Sequence, residues 1–431
     1  MPAVTTIRRD TAPVAVTRTR AVVARVAEMA VHPVRLSPPA LRTADGHDLE
    51  ERRASWLELF FDLVFAGAVG QLAGALQDHP GLSTLARFVM LFTPIWWLWV
   101  QLTFYADRHE SEDTAHRVAF LAAILLCVGL AASAPRALAG STAGFVIAFA
   151  SLRLLQLLLY ARARHHIAAT RALYTRYLLF FGTGGALWLG SLAVAGTDRY
   201  VFWIGALLSD ALGAIAMMSP GRRVPLNTSH LADRFQIFVL IVLGESVARL
   251  ISAAAARPWT LQLAVVLGAA LLTLAALWWA WLTGADRKAL DGPRPIAWFT
   301  ALNLPIVAAI AAASAGLHIA ILAADGAATI GIGPRVALYG GVSVFVLATA
   351  GLPSRKLSGC ARAARVATAA AALGLVFMGE IVLPVYLVPA LTAVLAAGLA
   401  VESHPRSLTA AQTAVRLRAV GSIRSRRPGR S

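Results

Sequence analysis

The sequence predicts an all-α fold, a polytopic transmembrane bundle of about twelve helices, with a pattern that suggests two parallel six-helix repeats. Three observations predict it. Of 431 residues, 58% are hydrophobic and 14% charged, with a mean hydropathy of +0.67, outside the range of a water-soluble globular chain. The apolar residues fall in long runs between short basic or Gly/Pro-containing breaks, unlike the alternating segments of a β-barrel. Helices are then the spanning element, because each satisfies its own backbone hydrogen bonds. Lastly, Lys and Arg lie in the tails and in alternate loops, as cytoplasmic segments of a multi-pass protein do.

The chain opens with a basic tail over residues 1–54 that carries Arg8, Arg9, Arg18, Arg20, Arg25, Arg35, Arg42, Arg52 and Arg53. It has no apolar core of signal-peptide length. It reads as a mostly disordered cytoplasmic tail, with a weak basic amphipathic helix over Arg20 to Val31. A transmembrane domain over 55–401 follows. Its first six spans are Trp56 to Leu76, Thr84 to Tyr105, Thr114 to Ser133, Ala137 to Tyr160, Ala172 to Val194 and Arg199 to Met218. The other six are Asp233 to Ala255, Trp259 to Thr283, Ala297 to Ala323, Gly333 to Leu352, Val366 to Leu383 and Val385 to Val401. The last two are short and separated only around Pro384, which leaves a count of ten or eleven open. A second basic tail over 402–431 closes the chain, with Arg406, Arg416, Arg418, Arg424, Arg426, Arg427 and Arg430.

Charge orients these spans. The predicted inside loops hold Arg162, Arg164 and Arg171; Arg222 and Arg223; Arg287, Lys288 and Arg294; and Arg355, Lys356, Arg362 and Arg365. The predicted outside loops hold single arginines, Arg136, Arg199, Arg257 and Arg335. Both termini are therefore expected in the cytoplasm, with the plasma (inner) membrane as the location. The inside loop Tyr105 to His116 departs from the pattern, with Asp107, Glu110, Glu112 and Asp113 against Arg108, but acidic residues count little in this rule.

A formal charge of +17 raises nucleic-acid binding, yet no aromatic residues interleave with the tail arginines to stack on bases. Anionic lipid headgroups are the expected partner of both tails, and the bilayer that of the spans. No nucleic-acid partner is expected. Cys127 and Cys360 lie at different depths and predict no disulfide. No Walker loop, HExxH or GxSxG elbow is present, so neither an enzyme nor a cofactor is expected. His109, Glu110, Glu112, Asp113 and His116 are irregularly spaced and read as a solvated loop rather than a metal site.

The first and seventh spans carry a weak internal repeat. Leu59-Phe60 and Leu63-Val64 match Ile237-Phe238 and Ile241-Val242, and Val69-Gly70-Gln71-Leu72 matches Val247-Ala248-Arg249-Leu250, at one offset. This suggests repeats over 55–220 and 230–401, parallel because each holds an even number of helices.

Ionisable residues inside spans carry the functional signal, because each costs about 2.5–3.5 kcal/mol to insert without a partner or water. Glu58 and Asp62 sit one turn apart on one face of the first helix and need a cation or a shared proton. By helix rise, Asp62 lies about 9 Å and Arg153 about 10 Å from the cytoplasmic ends of their helices, which makes Arg153 the expected partner. The alternatives are a packing salt bridge and a coupled ion or proton site. Glu245 lies about 18 Å into the seventh span, near mid-bilayer. Asp210 reaches a similar depth in the sixth span, so the two are a candidate pair sharing a proton or cation. Arg249, one turn beyond Glu245, offers the alternative of a plain intrahelical pair. Glu380, Asn303 and His318 are lesser candidates.

The run Trp56-Leu57-Glu58-Leu59-Phe60-Phe61-Asp62-Leu63-Val64-Phe65, followed by Gln71, resembles the first-helix signature of the bacterial low temperature requirement protein A (LtrA) family. A second block is similar as well: His230-Leu231-Ala232-Asp233-Arg234-Phe235, leading into Ile241-Val242-Leu243-Gly244-Glu245-Ser246-Val247. The resemblance covers roughly Ser55 to Val401 in architecture and adds His230 and Arg234 to the candidate polar site. Two positions differ from the family pattern: the acidic-Arg pair before the seventh helix is Asp233-Arg234, and a histidine common before Leu-Pro in the ninth helix is Asn303. The resemblance implies a multi-pass plasma-membrane protein linked by name to growth in the cold, and it implies no established substrate.

Two function classes follow. The first is a transporter or channel-like protein for a small ion that uses intramembrane carboxylates. The second is a non-transporting membrane scaffold or a stress- (cold-) related factor, in which the same carboxylates are structural.

Overall fold

The computed structural model describes residues 38–39, 41, 55–109, 114–219, 224, 226–326 and 329–403. The helix expected over Arg20 to Val31, almost all of the 1–54 tail and the second tail beyond Ser403 lie outside the described residues. So do Arg222, Arg223, Glu110, Glu112 and Asp113.

The described residues form twelve helices and no sheet. These are α1 (Trp56–Asp78), α2 (Leu82–Arg108), α3 (Thr114–Leu138), α4 (Ala143–His166), α5 (Arg171–Gly190) and α6 (Arg199–Ala216). They continue as α7 (Thr228–Ala255), α8 (Leu261–Gly284), α9 (Pro293–Leu322), α10 (Ile332–Gly351), α11 (Gly359–Met378) and α12 (Pro384–Ser403). Every expected span falls on one of them. Eleven are long and apolar enough to cross a membrane. The exception is α5, whose first half carries Arg171, Arg176, Tyr174 and Tyr177, and not the closely spaced α11 and α12. The chain is thus a helical membrane bundle, and its outer surface agrees: Leu125, Leu158, Val201 and Phe377 are exposed, as residues facing acyl chains are.

Local chemistry sets the helix starts. Ser55 Oγ accepts from the backbone N of Glu58 at 3.3 Å while Glu58 Oε2 accepts from that of Ser55 at 2.9 Å, a reciprocal cap for α1. Asn227 Oδ1 caps α7 by accepting from the His230 backbone N at 3.2 Å. Gly292, at φ +91°, turns the chain into α9, where Pro293 occupies the first position. Prolines lie inside α2, α9 and α12 (Pro94, Pro305 and Pro389), as membrane helices tolerate.

The helices pack in an order that recurs. In the first half α1 lies on α3, α3 on α4, α4 on α5 and α5 on α6; in the second α7 lies on α9, α9 on α10, α10 on α11 and α11 on α12. The halves meet where α1 runs against α7 and α9, with α2 touching both. The order departs at one place: α12 packs along α8, whereas α6 barely meets α2. At the centre, α9 is buried all round from Ile306 to Leu317, as a helix enclosed on every side must be. Aromatic rings seal the seam between α2 and α7, with Trp99 4.3 Å from Phe238 and 4.9 Å from Phe235 between centroids.

The N-terminal tail is not wholly detached from the bundle. Leu41 forms an isolated antiparallel bridge with His109, just past α2.

Candidate functional site

The two sequence blocks meet in space. Glu58 and Asp62 of the first and His230 and Arg234 of the second converge at the end of the bundle that holds the starts of α1 and α7 and the finish of α2. Arg234 of α7 donates from Nε to Asp62 Oδ2 at 2.8 Å and from Nη2 to Asp62 Oδ1 at 2.6 Å. This is the bidentate geometry in which guanidinium and carboxylate fit best. Trp99 Nε1 adds a third donor to Asp62 Oδ1 at 2.7 Å. Glu58, one turn earlier on α1, places Oε2 3.7 Å from Arg234 Nη1 and 3.5 Å from His230 Nε2. The other ring nitrogen of His230, Nδ1, lies 2.8 Å from Asp107 Oδ1. Asp107 Oδ2 in turn accepts from the backbone N of Asn227 at 2.7 Å, which ties the end of α2 to the start of α7.

Asp62, His230 and Arg234 are 0% exposed. Buried ions survive only when paired, and here each pair is formed by helices of opposite halves. His230 has a carboxylate at each ring nitrogen. The two sides differ: Nδ1 is within hydrogen-bond distance of Asp107, whereas Nε2 stands 3.5 Å from Glu58 without a hydrogen bond, so the ring has one engaged and one open nitrogen, each facing a carboxylate.

These contacts change the pairing expected from depth. Arg153 does not reach Asp62. It donates from Nη2 to Asp210 Oδ2 at 2.7 Å and from Nη1 to Gln101 Oε1 at 2.8 Å, between the rings of Phe149 and Phe181, each 5.1 Å away. Tyr177 donates its hydroxyl to the same Gln101 oxygen at 2.6 Å, and Tyr160 to the Gln101 carbonyl at 2.8 Å. Helix rise fixes depth but not rotation about the axis, and Arg153 and Arg234 lie on helices that face different ways.

Asp210 and Glu245 likewise do not share a proton or cation. Asp210 sits six residues before α6 ends at Ala216, about 9 Å from that end. Glu245 is 17 residues into α7, which starts at Thr228 rather than Asp233, about 25 Å in. Glu245 instead accepts from Arg249 Nη2 at 3.0 Å, the intrahelical pair, with its side chain 40% exposed. Arg249 also donates to the Gly70 carbonyl of α1. Gly70 and Gly74 admit this pair, since a Cβ on either would lie 2.8 Å from Glu245 Oε1 or Arg249 Nη1.

Asn303 Oδ1 accepts from Trp281 Nε1 at 3.0 Å, His318 Nδ1 lies 3.2 Å from the Arg249 carbonyl, and Glu380 is exposed between α11 and α12. Of the tryptophans, Trp96, Trp99 and Trp281 are core, whereas Trp278 and Trp279 face outward.

Asp107, Trp99 and Gln101 escape the sequence reading. Asp107 reads as part of a solvated loop because α2 is expected to stop at Tyr105, yet the helix continues to Arg108 and buries the carboxylate. A signal was available. Trp96-Trp97-Leu98-Trp99 leads to Asp107-Arg108, and Trp278-Trp279-Ala280-Trp281 leads to Asp286-Arg287. Both tryptophans that close these runs donate to a buried side-chain oxygen, on Asp62 and Asn303 respectively.

Among the described residues no group of three His, Cys, Asp or Glu is arranged to hold a metal.

The profile of a family described as bacterial low temperature requirement A protein (LtrA) matches residues 53–401. An uncharacterized protein of Rhizobium meliloti (strain 1021) is 27% identical over 278 residues, covering 61% of this chain and 68% of that protein. No solved structure matches.

Proposed function

The chain belongs to the bacterial low temperature requirement A family, and from that premise we propose that it is an integral membrane transporter for a small ion, with the proton as the best fit. The observation that carries this reading is His230, held between Asp107 at 2.8 Å and Glu58 at 3.5 Å in the seam between two similarly ordered halves. A proton bound or released there changes the charge of the contacts that hold the halves together. That is the coupling an alternating-access carrier needs. The plasma membrane is its proposed location, with both tails in the cytoplasm and their arginines on anionic headgroups. No enzymatic step is part of the proposal.

A second reading draws on Asp62. With two bonds from Arg234 and one from Trp99, that carboxylate is held as a fixed clasp, as a non-transporting scaffold requires. Proton flux separates the two. The full chain is reconstituted in proteoliposomes with an entrapped pH dye, alongside His230→Gln and Asp107→Asn, each checked for monodispersity and thermal stability. Flux in the wild type that both variants lose supports proton transport. No flux in well-folded wild type, across several cations and a pH gradient, leaves the scaffold reading.

A further inference from the structure

The one break in the recurring packing order leaves a cavity. Where α12 closes on α8, the matching α6 stands away from α2, and about 710 Å³ opens between α2, α5, α6 and α9. That volume is typical of sites for small organic ligands. Its walls are apolar, with Trp97, Phe104, Phe181 and Ile296 among them. Its mouth is cationic: Arg108, Arg287, Lys288 and Arg355 line it against Asp291 alone.

The mouth is built rather than incidental. Buried Asp286 accepts from the backbone N of Lys288 at 3.1 Å through Oδ1 and from that of Arg355 at 2.9 Å through Oδ2. One carboxylate therefore holds the α8–α9 and α10–α11 connections side by side. Arg287 is engaged by Asp233, so Arg108, Lys288 and Arg355 dominate the field. On the cavity wall, Gln101 is 3% exposed. Its Oε1 is used by Arg153 and Tyr177, but its Nε2 has no hydrogen-bond partner. A buried donor without an acceptor is unfavourable and is a point where a ligand oxygen would be held. Arg108 lies seven positions after Gln101 on α2, about 10 Å by helix rise.

We propose that this cavity binds an amphipathic organic anion, its acidic group among Arg108, Lys288 and Arg355, its apolar body against the aromatic walls and an oxygen accepting from Gln101 Nε2. The inference goes beyond the proton-transport reading and does not depend on it, because it concerns a different site and is tested by binding. The acidic amphiphile has two sources, a bilayer phospholipid or a soluble organic acid.

The test is native mass spectrometry of the full chain released from neutral detergent, with decyl phosphate as the probe and decanol as its uncharged match. The expected result is one decyl phosphate bound per chain and no decanol at equal concentration. Lys288→Gln with Arg355→Gln, both exposed positions, should weaken binding roughly three- to tenfold. Ala297→Trp, which fills the cavity from α9, should abolish it. Equal binding of decanol, or an Ala297→Trp protein that still binds one decyl phosphate, overturns the proposal. A phosphatidylglycerol adduct that co-purifies and is displaced by decyl phosphate identifies the lipid source. Decyl phosphate binding that added phosphatidylglycerol does not compete identifies a soluble acid. Either result supports the site.

Discussion

Arg234 and Asp62 are 172 positions apart in the chain and joined by two hydrogen bonds of 2.8 and 2.6 Å, so one buried ion pair fastens the first helix of one half to the first helix of the other. Removing the Asp62 charge leaves Arg234 with Glu58 alone, 3.7 Å away, at a cost of up to about 3–5 kcal/mol. Asp62→Asn should lower stability by that amount, read as an earlier midpoint in denaturation from mixed micelles. Asp62→Leu combined with Arg234→Met removes both charges, and its loss should be well below the sum of the two single substitutions. An additive double variant would show that the pair does not act as a unit.

The contact of α9 with α10 depends on small residues instead of charge. A Cβ at Gly316 would lie 2.6 Å from Leu338 Cβ and 2.8 Å from the Pro334 carbonyl oxygen, whereas one at Gly268 would meet nothing within 4 Å. Backbone atoms cannot swing aside as a long side chain does. Gly316→Ala should therefore destabilise the protein by about 1–3 kcal/mol, and Gly268→Ala should leave it unchanged or stabilise it by up to about 1 kcal/mol. Thermal melts of the two variants in one detergent make the comparison. Equal melting temperatures would mean that α10 shifts freely away from α9.

The fold was legible in this sequence because lipid imposes a one-dimensional code: a span needs a run of apolar residues, and its ends need charge. Depth is part of that code, but rotation about the helix axis is not. Glu58, Asp62, His230 and Arg234 are identifiable as a set because two motifs carry them, yet depth alone pairs Asp62 with Arg153. Which way Arg153 faces is decided by Gln101, Asp210 and two phenylalanine rings, and these come from helices whose rotations no span boundary encodes. Asp107 was hidden for a related reason. Hydropathy ends α2 where polar residues begin, whereas Asp107 is retained inside the helix by His230 and the Asn227 backbone of α7.

The last two helices provide an asymmetric pair. Arg365, in the second turn of α11, donates to both oxygens of Glu402 near the end of α12, each at 2.9 Å, and Nη2 also donates to Thr283 at 2.9 Å. The side chain of Arg365 is 1% exposed and that of Glu402 12%. The carboxylate can turn to water when its partner is lost, but the guanidinium cannot. Glu402→Gln should thus cost about 3–5 kcal/mol and Arg365→Leu about 1–3 kcal/mol, with protease sensitivity of α12 as a second measurement. The reverse ranking would mean that Arg365 finds water.

That pairing joins the start of α11 to the finish of α12, so the two form an antiparallel hairpin and return the chain to the side it left. Cys360 reports which side this is. It is exposed at the start of α11, and the second cysteine of the chain, Cys127, is buried. The basic residues Arg355, Lys356 and Arg362 flank it, and such clusters are retained on the cytoplasmic face. A membrane-impermeant maleimide should therefore label the unmodified protein in inside-out membrane vesicles and leave it unlabelled in intact cells, with Cys360→Ser removing the signal. Labelling in intact cells would reverse the orientation of the whole bundle and place the cavity mouth outside.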